Sequence, residues 1–402
     1  MTGTRAAGEL LPTGPAAGRH TAPAAGTPEN VKIALLAESF LPHMNGVTNS
    51  VLQVLRCLAA DGHEALVLAP RSGEITADLH GARTTLLPSA PLPSYPDVRV
   101  ALASVRKLTR IMRDFDPDVV HLASPFVLGW QGQLAAESLG TPTVAVYQTD
   151  VISYAEKYGV RGAAPLVAGH ISRLHKRATL NLAPSSASEA QLNGLGVDRL
   201  RRWGRGVDVN RFSPARRSEA WRSRIAPGKV LIGYVGRLAP EKQVEDLRAL
   251  HNIPGAQLVI IGDGPSRDLL ERMLPGAVFT GFLSGDALAE AIASLDVFVH
   301  PGESETFCQT IQESLVSGVP VVATGRGGPV DLVRSSVDGW LYRPGDLSDL
   351  RSRVADLAGD DAKRRSFAAA ARESVRNRTW EALTAQLLGH YREARTLALA
   401  AH

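Results

Sequence analysis

Short, nearly continuous apolar runs alternate with amphipathic stretches along most of the chain. The first run, Val31-Lys32-Ile33-Ala34-Leu35-Leu36-Ala37, reads as a strand of a parallel sheet covered on both faces. A turn holding Glu38, Pro42, Asn45 and Gly46 follows. Helical spacing then runs from about Val47 to Ala60, stops at Gly62 and gives way to a strand from Glu64 to Ala69. Strand, glycine-bearing loop, helix and strand form the opening βαβ unit of a Rossmann-like domain. The pattern continues through strands at Val119 to Ser124, Thr143 to Gln148 and Leu180 to Pro184. Helical spacing covers Val105 to Phe115 and Val167 to Ala178 between them. Periodicity fades from Leu200 to Pro214, which predicts an inter-domain linker.

A second series opens with Val230 to Val235 and adds strands at Gln257 to Ile261, Ala277 to Thr280, Val297 to His300 and Val319 to Ala323. From Arg351 to Leu397 the spacing is mostly helical, and Trp380, Leu383, Leu387, Leu388 and Tyr391 give the last helix a face to bury. The predicted fold class is therefore α/β, with two Rossmann-like domains at 30–208 and 209–375 and a closing helical segment at 376–402. Residues 1–29 are rich in Ala, Gly, Pro and Thr and read as a disordered tail.

Composition narrows the class. At 402 residues the chain exceeds one ordinary core, and 44% hydrophobic with 21% charged residues describes a globular protein. No apolar run is long enough to span a bilayer, and the first residues lack the profile of a signal peptide. Two cysteines, Cys57 and Cys308, form no disulfide framework, so a cytoplasmic setting is expected. A net charge of +4 does not imply nucleic acid and is compatible with an anionic membrane surface.

The candidate chemistry centres on VFVHPGESETFCQTIQESLVSGVPVVAT, from Val297 to Thr324. It reads as strand, loop, a helix of about three turns opened by Thr306-Phe307-Cys308-Gln309, a left-handed stop at Gly318, and strand. Glu305 then stands at the helix mouth and Glu313 about two turns along it. A helix mouth suits a phosphate, so a carboxylate on either side of it fits the sugar and the ribose of a nucleotide-sugar. The alternative is a capping Glu305 and a solvated Glu313.

Arg237 and Lys242 follow a strand at the carboxyl edge of the second sheet, where a guanidinium fork and a point charge can grip a diphosphate. Solvated surface cations are the alternative. Gly46 lets backbone approach a ligand in the first strand-to-helix loop. Gly262-Asp263-Gly264 reads as a tight connection or a phosphate turn. His121 reads as a core histidine or a ligand. Gln148 and Asp150, in Tyr147-Gln148-Thr149-Asp150, place polar groups at a strand end. Asp114, Asp116 and Asp118 read as a solvated turn rather than a metal site. Arg106, Lys107, Arg110 and Arg113 line a helix face, and Arg173, His175, Lys176 and Arg177 form a second basic cluster. Each reads as solvated or as a rest for anionic lipid.

GESETFCQTIQES, VGRLAPEK and ESFLPHMNGVTNSV resemble the retaining glycosyltransferases of the two-Rossmann (GT-B) class, a group that includes sucrose synthases, bacterial-type glycogen synthases and phosphatidylinositol mannosyltransferases. AESFLPHMNGVTNSV, HLASP, YQTD and SETFCQ are most similar to actinobacterial GDP-mannose-dependent α-mannosyltransferases that build glycolipids, and the resemblance spans residues 31 to 395. It implies two domains facing across a cleft, the first for the acceptor and the second for the donor, with the C-terminal helix returning to the first. It also implies a metal-independent reaction with no cofactor beyond the nucleotide-sugar, GDP-mannose being favoured. The acceptor would be a lipid or glycolipid at the cytoplasmic membrane face. A UDP-sugar enzyme acting on a sugar or inositol phosphate is the alternative, and a non-catalytic sugar-nucleotide sensor is a third reading.

Carried over, Arg237 and Lys242 hold the donor diphosphate, Glu313 the ribose and Glu305 the hexose. Phe307, Cys308 and Gln309 lend backbone at the helix mouth, Gly46 faces the phosphates, and Leu283 lies near the base. Where many relatives have a histidine beside the reacting sugar this chain has Gln148, which cannot act as a base; Asp150 is a candidate for part of that role. Where the family commonly has Gly-Gly in the first loop, this chain has Asn45-Gly46.

Overall fold

The computed structural model describes residues 30–75, 77–92, 95–150 and 163–400; the tail expected at 1–29 lies outside them. The first part of the chain forms β1 (Lys32–Leu36), α1 (Gly46–Ala60), β2 (Glu64–Pro70), β3 (Arg83–Leu87), β4 (Ser89–Leu92), β5 (Tyr95–Ala101), α2 (Val105–Phe115), β6 (Val119–Leu122), α3 (Val127–Leu139), β7 (Thr143–Val146), α4 (Ala163–Arg177), β8 (Leu180–Ala183), α5 (Ser186–Gly194) and β9 (Leu200–Arg202). Seven of these strands make a parallel sheet ordered β3-β2-β1-β6-β7-β8-β9, while β4 and β5 pair as an antiparallel hairpin. Ile33, Ala34, Leu35 and Leu36 are all buried because helices cover both faces of this sheet, which is why β1 shows no polar alternation.

The second part forms α6 (Glu219–Ile225), β10 (Val230–Val235), β11 (Ala256–Ile261), α7 (Arg267–Met273), β12 (Val278–Gly281), α8 (Gly285–Ala293), β13 (Val297–His300), α9 (Gln309–Val316), β14 (Val321–Thr324), the single-turn α10 (Pro329–Leu332), β15 (Gly339–Tyr342), α11 (Leu347–Gly359), α12 (Asp361–Val375) and α13 (Trp380–Ala400). Its sheet is parallel and ordered β12-β11-β10-β13-β14-β15. Strand order reverses between β1 and β6 in one sheet and between β10 and β13 in the other. Such switch points leave a crevice at the carboxyl ends of the strands, where ligands bind in open α/β folds. The segments that follow β1, β10 and β13 carry Gly46 at the start of α1, Arg237 with Lys242, and Glu305.

Two expectations need correction. The linker does not begin at Leu200, because Leu200 to Arg202 pairs with β8 as the sheet's last strand. An edge strand partnered on one side keeps exposed arginines, so apolar patterning does not reveal it. The helix after β13 begins at Gln309, not Thr306, and runs eight residues. Cys308 precedes it in a left-handed conformation (φ 75°), so Thr306 and Phe307 belong to the loop. Gly318 does end the turn after this helix at φ 71°.

Trp380, Leu387, Leu388, Tyr391 and Ala394 of α13 pack with Val31, Ile33, Val54, Leu58, Val119 and Val144 of the first domain. Each large side chain buried this way contributes about 1.5–3 kcal/mol. Trp203 Nε1 donates to the Leu383 carbonyl at 2.9 Å, and the Val207 amide donates to the Arg378 carbonyl at 2.8 Å. The two chain crossings between domains therefore run side by side.

Candidate active site

On the second-domain side, Lys242 ends a short 3-10 turn after β10 and Glu305 lies in the loop after β13. Lys242 Nζ and Glu305 Oε1 are 2.6 Å apart, and His300 Nε2, at the end of β13, is 3.3 Å from the same oxygen. Burial alone would raise the Glu305 carboxyl, but Lys242 and His300 outweigh it and hold it well below the usual carboxylate range. Burial opposes protonation of His300, yet Cys308 and Glu305 beside the ring raise it.

Donor atoms of His300, Glu305 and Cys308 lie within 4.8 Å of one another, the span of a possible metal set. The Lys242 ammonium already takes the place of a cation on that carboxylate, so the group fits a charge network around Glu305 better than a metal cage. Arg237 is exposed, and among the described residues its guanidinium meets no hydrogen-bonding or ionic partner. Its carbonyl accepts a hydrogen bond from Tyr234 Oη at 3.1 Å.

Glu313 is the fifth residue of α9, just over one turn along it, and is buried. Burial pushes its carboxyl up to about 8, against weaker opposing effects of Gln309 and Arg211. It is therefore not the solvated charge that an isolated surface glutamate would be. Leu283 is partly buried against the second-domain core, Phe307 is buried in that core, and neither shows a polar function.

On the first-domain side, Asn45 caps α1: its Oδ1 accepts from the amides of Val47 and Thr48 at 2.9 and 3.0 Å. That gives the departure from Gly-Gly a physical reason. Gly46 is close-packed, but against a side chain, since a Cβ there would collide with Nη1 of Arg205. Gln148 is buried; its carbonyl accepts from Thr306 Oγ1 at 2.8 Å, and its Oε1 lies 3.4 Å from Arg205 Nη2. Asp150 Oδ1 accepts from Gln191 Nε2 at 3.0 Å and from Tyr147 Oη at 3.4 Å. Asp150, Gln191, Glu303, Glu305, Thr306 and Arg326 line a cavity of about 340 Å³ shared by both domains.

The structure thus brings Lys242, Glu305, His300 and Cys308 together, and joins them through Thr306 to Gln148, Arg205 and Gly46. Sequence reasoning missed Arg205 and His300. The signals were present: a polar residue ending an apolar strand, and an arginine between Gly204 and Gly206.

Several other candidates resolve as structural. His121 Nδ1 lies 2.7 Å from Tyr391 Oη, and burial pulls its imidazole down to about 4, so it is a neutral core residue. His175 is no surface charge: it is buried 2.9 Å from Asn181 Oδ1, and burial pulls it down to about 4. Arg177 pairs with Glu137, whereas Arg173 and Lys176 are exposed, as are Arg106, Lys107, Arg110 and Arg113. Asp116 is the left-handed cap of α2, and Asp118 Oδ2 accepts from the Lys32 amide at 2.8 Å. Gly262 and Gly264 have positive φ, and a Cβ on either would strike the Gly236 or Leu238 backbone, so this turn serves the close approach of two loops.

Two family models match in tandem, Glycosyltransferase Family 4 at residues 44–211 and Glycosyl transferases group 1 at 215–374. A GDP-mannose-dependent alpha-mannosyltransferase of Mycobacterium tuberculosis is 48% identical over 371 residues, covering 91% of this chain and 97% of that protein. A sulfoquinovosyl transferase of Arabidopsis thaliana is 36% identical over 370 residues, covering 89% and 72% respectively. Among solved structures, Anabaena HepE in complex with UDP-glucose superposes with a TM-score of 0.75 at 21% identity, over 90% of this chain and all of that one, which shows the shared fold.

Proposed function

Because the chain belongs to the GT-B glycosyltransferases, we propose that it moves mannose from GDP-mannose onto a glycolipid acceptor, with retained configuration and without a metal ion. The observation that carries this reading is the partly buried Lys242–Glu305 pair at the switch point of the second sheet, in a cavity that Asp150 of the first domain also lines. The 48% identity to a GDP-mannose-dependent enzyme supports the donor.

In this reading the donor diphosphate draws Lys242 from Glu305 and also meets Arg237 and the α9 N-terminus. Glu305 is freed to accept hydrogen bonds from the hexose, and Glu313 takes the ribose. As the bond between the anomeric carbon and the diphosphate breaks, these cations stabilise the negative charge left on the phosphate. The acceptor hydroxyl attacks from the leaving-group face, and the departing phosphate oxygen takes its proton. Gln148 orients the sugar by hydrogen bonding, and Asp150 sits where the acceptor enters.

The exposed cations of α2 and α4 support a resting place on anionic lipid at the cytoplasmic face, each worth about 1 kcal/mol near such a surface. Among the described residues no helix is long and apolar enough to cross a membrane.

The test is a panel of radiolabelled GDP-mannose, UDP-glucose, UDP-glucuronic acid and UDP-N-acetylglucosamine with a lipid extract as acceptor. Label entering the organic phase from GDP-mannose alone is the expected result. Label from a UDP-sugar overturns the donor. A water-soluble product with an empty organic phase replaces the lipid by a small acceptor.

A further inference from the structure

Arg205 lies in the connection between domains, yet its two ends are tied to opposite sides of the cleft. Its main chain is fastened to α9: Gln312 Nε2 donates to the Arg205 carbonyl and Gln309 Nε2 to the Gly206 carbonyl, both at 2.9 Å. The Phe307 ring closes over the same stretch, 3.1 Å from where Gly204 would carry a Cβ. The side chain points the other way. Its Nη1 fills the space left by the missing side chain of Gly46, and its Nη2 lies 3.4 Å from Gln148 Oε1. Only 9% of the residue is exposed.

Gly46 is the first residue of α1, and a helix start carries positive partial charge. Asn45 Oδ1 already takes the first free amides of α1, so the group that an anion would meet at this start is the Arg205 guanidinium. An anion there would lie between the first-domain loop and the two loops that carry Lys242 and Glu305, the place the proposed function gives to the diphosphate.

We propose that Arg205 is a third cation on the donor diphosphate, supplied by the linker, which holds the leaving group from the first-domain side. Gly46 is glycine so that this arginine can enter. Because the backbone of Arg205 is bound to α9 while its guanidinium lies against α1, diphosphate binding pulls the two domains together through it. The inference rests on the nucleotide-sugar reading and adds a residue to it.

The experiment compares the wild type with Arg205→Ala, Arg205→Lys, Gly46→Ala and the Gly46→Ala/Arg205→Ala double variant, each checked for an unchanged melting profile. Calorimetry gives affinities for GDP, UDP and the two free nucleosides, and steady-state assays give kcat and donor KM. A charge-assisted contact to phosphate is worth about ten- to a hundredfold in affinity. Arg205→Ala is expected to lose that much for the diphosphate while nucleoside affinity stays unchanged. Its kcat is expected to fall by about 10²–10³, as for other removed charge-stabilising donors, and Arg205→Lys is expected to recover part of the loss. Gly46→Ala reproduces the loss in the wild type but adds little when Arg205 is already alanine.

The inference is overturned if Arg205→Ala binds GDP and turns over within twofold of wild type. It is equally overturned if nucleoside affinity falls as far as diphosphate affinity, or if the two substitutions multiply. If one melts early, Arg205→Lys is read alone, and unchanged GDP affinity with unchanged kcat there counts against the proposal. Wild-type protein that binds neither diphosphate would sink the nucleotide-sugar reading itself, a result separate from all of these.

Discussion

Replacing Glu313 by glutamine tests a cost that the unliganded protein carries at the position the proposed function gives to the ribose. The carboxyl is buried on α9, and in the native state it keeps its proton up to about pH 8. In the unfolded chain it releases that proton near its ordinary value of 4.5. Between those values the native state binds more protons than the unfolded one, so this group's contribution to stability falls as pH rises. Below 4.5 both states are protonated and the contribution is constant.

Each pH unit that separates the native value from the unfolded one is worth about 1.4 kcal/mol, so full ionisation costs on the order of 5 kcal/mol, an upper bound because the surroundings relax around the charge. Between about pH 5.5 and about pH 8.5 roughly 3 kcal/mol of this is expressed. Glutamine keeps the shape and never ionises, so Glu313→Gln escapes the loss. At roughly 2–4 °C per kcal/mol for domains of this size, the variant should gain about 6–12 °C of Tm over the wild type between the two pH values. Thermal unfolding of both proteins, without nucleotide, gives the answer directly. Two curves that stay parallel across that range would refute the assignment of a neutral, buried Glu313.

If Glu313 takes the ribose as proposed, the same substitution should raise donor KM with little change in kcat, because a remote ribose contact is the same in the ground and transition states. Arg237→Ala should lower kcat by about 10²–10³ in steady-state assays; wild-type turnover would remove it from the leaving-group site. Lys242→Met strips the counter-charge from a mostly buried Glu305 and should destabilise the protein by about 3 kcal/mol in urea titrations, with Glu305→Gln restoring much of the loss in the double variant. Tyr391→Phe leaves the buried His121 ring without its partner and should cost about 1–2 kcal/mol; an unchanged unfolding midpoint would contradict the observed contact. Prolonged chelation with EDTA should leave transfer at full rate if Lys242 does a cation's work, whereas loss restored by a divalent ion would revive the His300, Glu305 and Cys308 set as a metal site.

The alternation of strands and helices was legible in the chain because doubly covered parallel strands are buried on both faces and mostly apolar, as β1, β8 and β13 are. The same rule hid β9, whose arginines face solvent at a sheet edge. The spacing of Glu305 and Glu313 pointed to the cleft but not to its geometry. The helix starts later than its composition suggests because Cys308 adopts a left-handed conformation that side chains rarely accept. Basic clusters were over-read in one place: a histidine among arginines looks like a charged face, but His175 belongs to the inner side of α4. Arg205 was passed over for a different reason. A pattern-based reading assigns a segment without periodicity to connection, and only three-dimensional contact shows that its side chain occupies the void at Gly46.

The position of α13 has a consequence for how the protein is made. Val31, Ile33, Val119 and Val144 sit early in the chain, but the helix that covers them, together with the ion pairs Arg56–Glu381 and Arg201–Glu393, comes from its last residues. During synthesis the first sheet therefore waits with part of one apolar face bare while the whole second domain is translated. Exposed surface of that kind is what chaperones hold and what drives aggregation. A ribosome stalled before Trp380 should carry a first domain that is sensitive to protease and holdase-bound beside a second domain that has already folded.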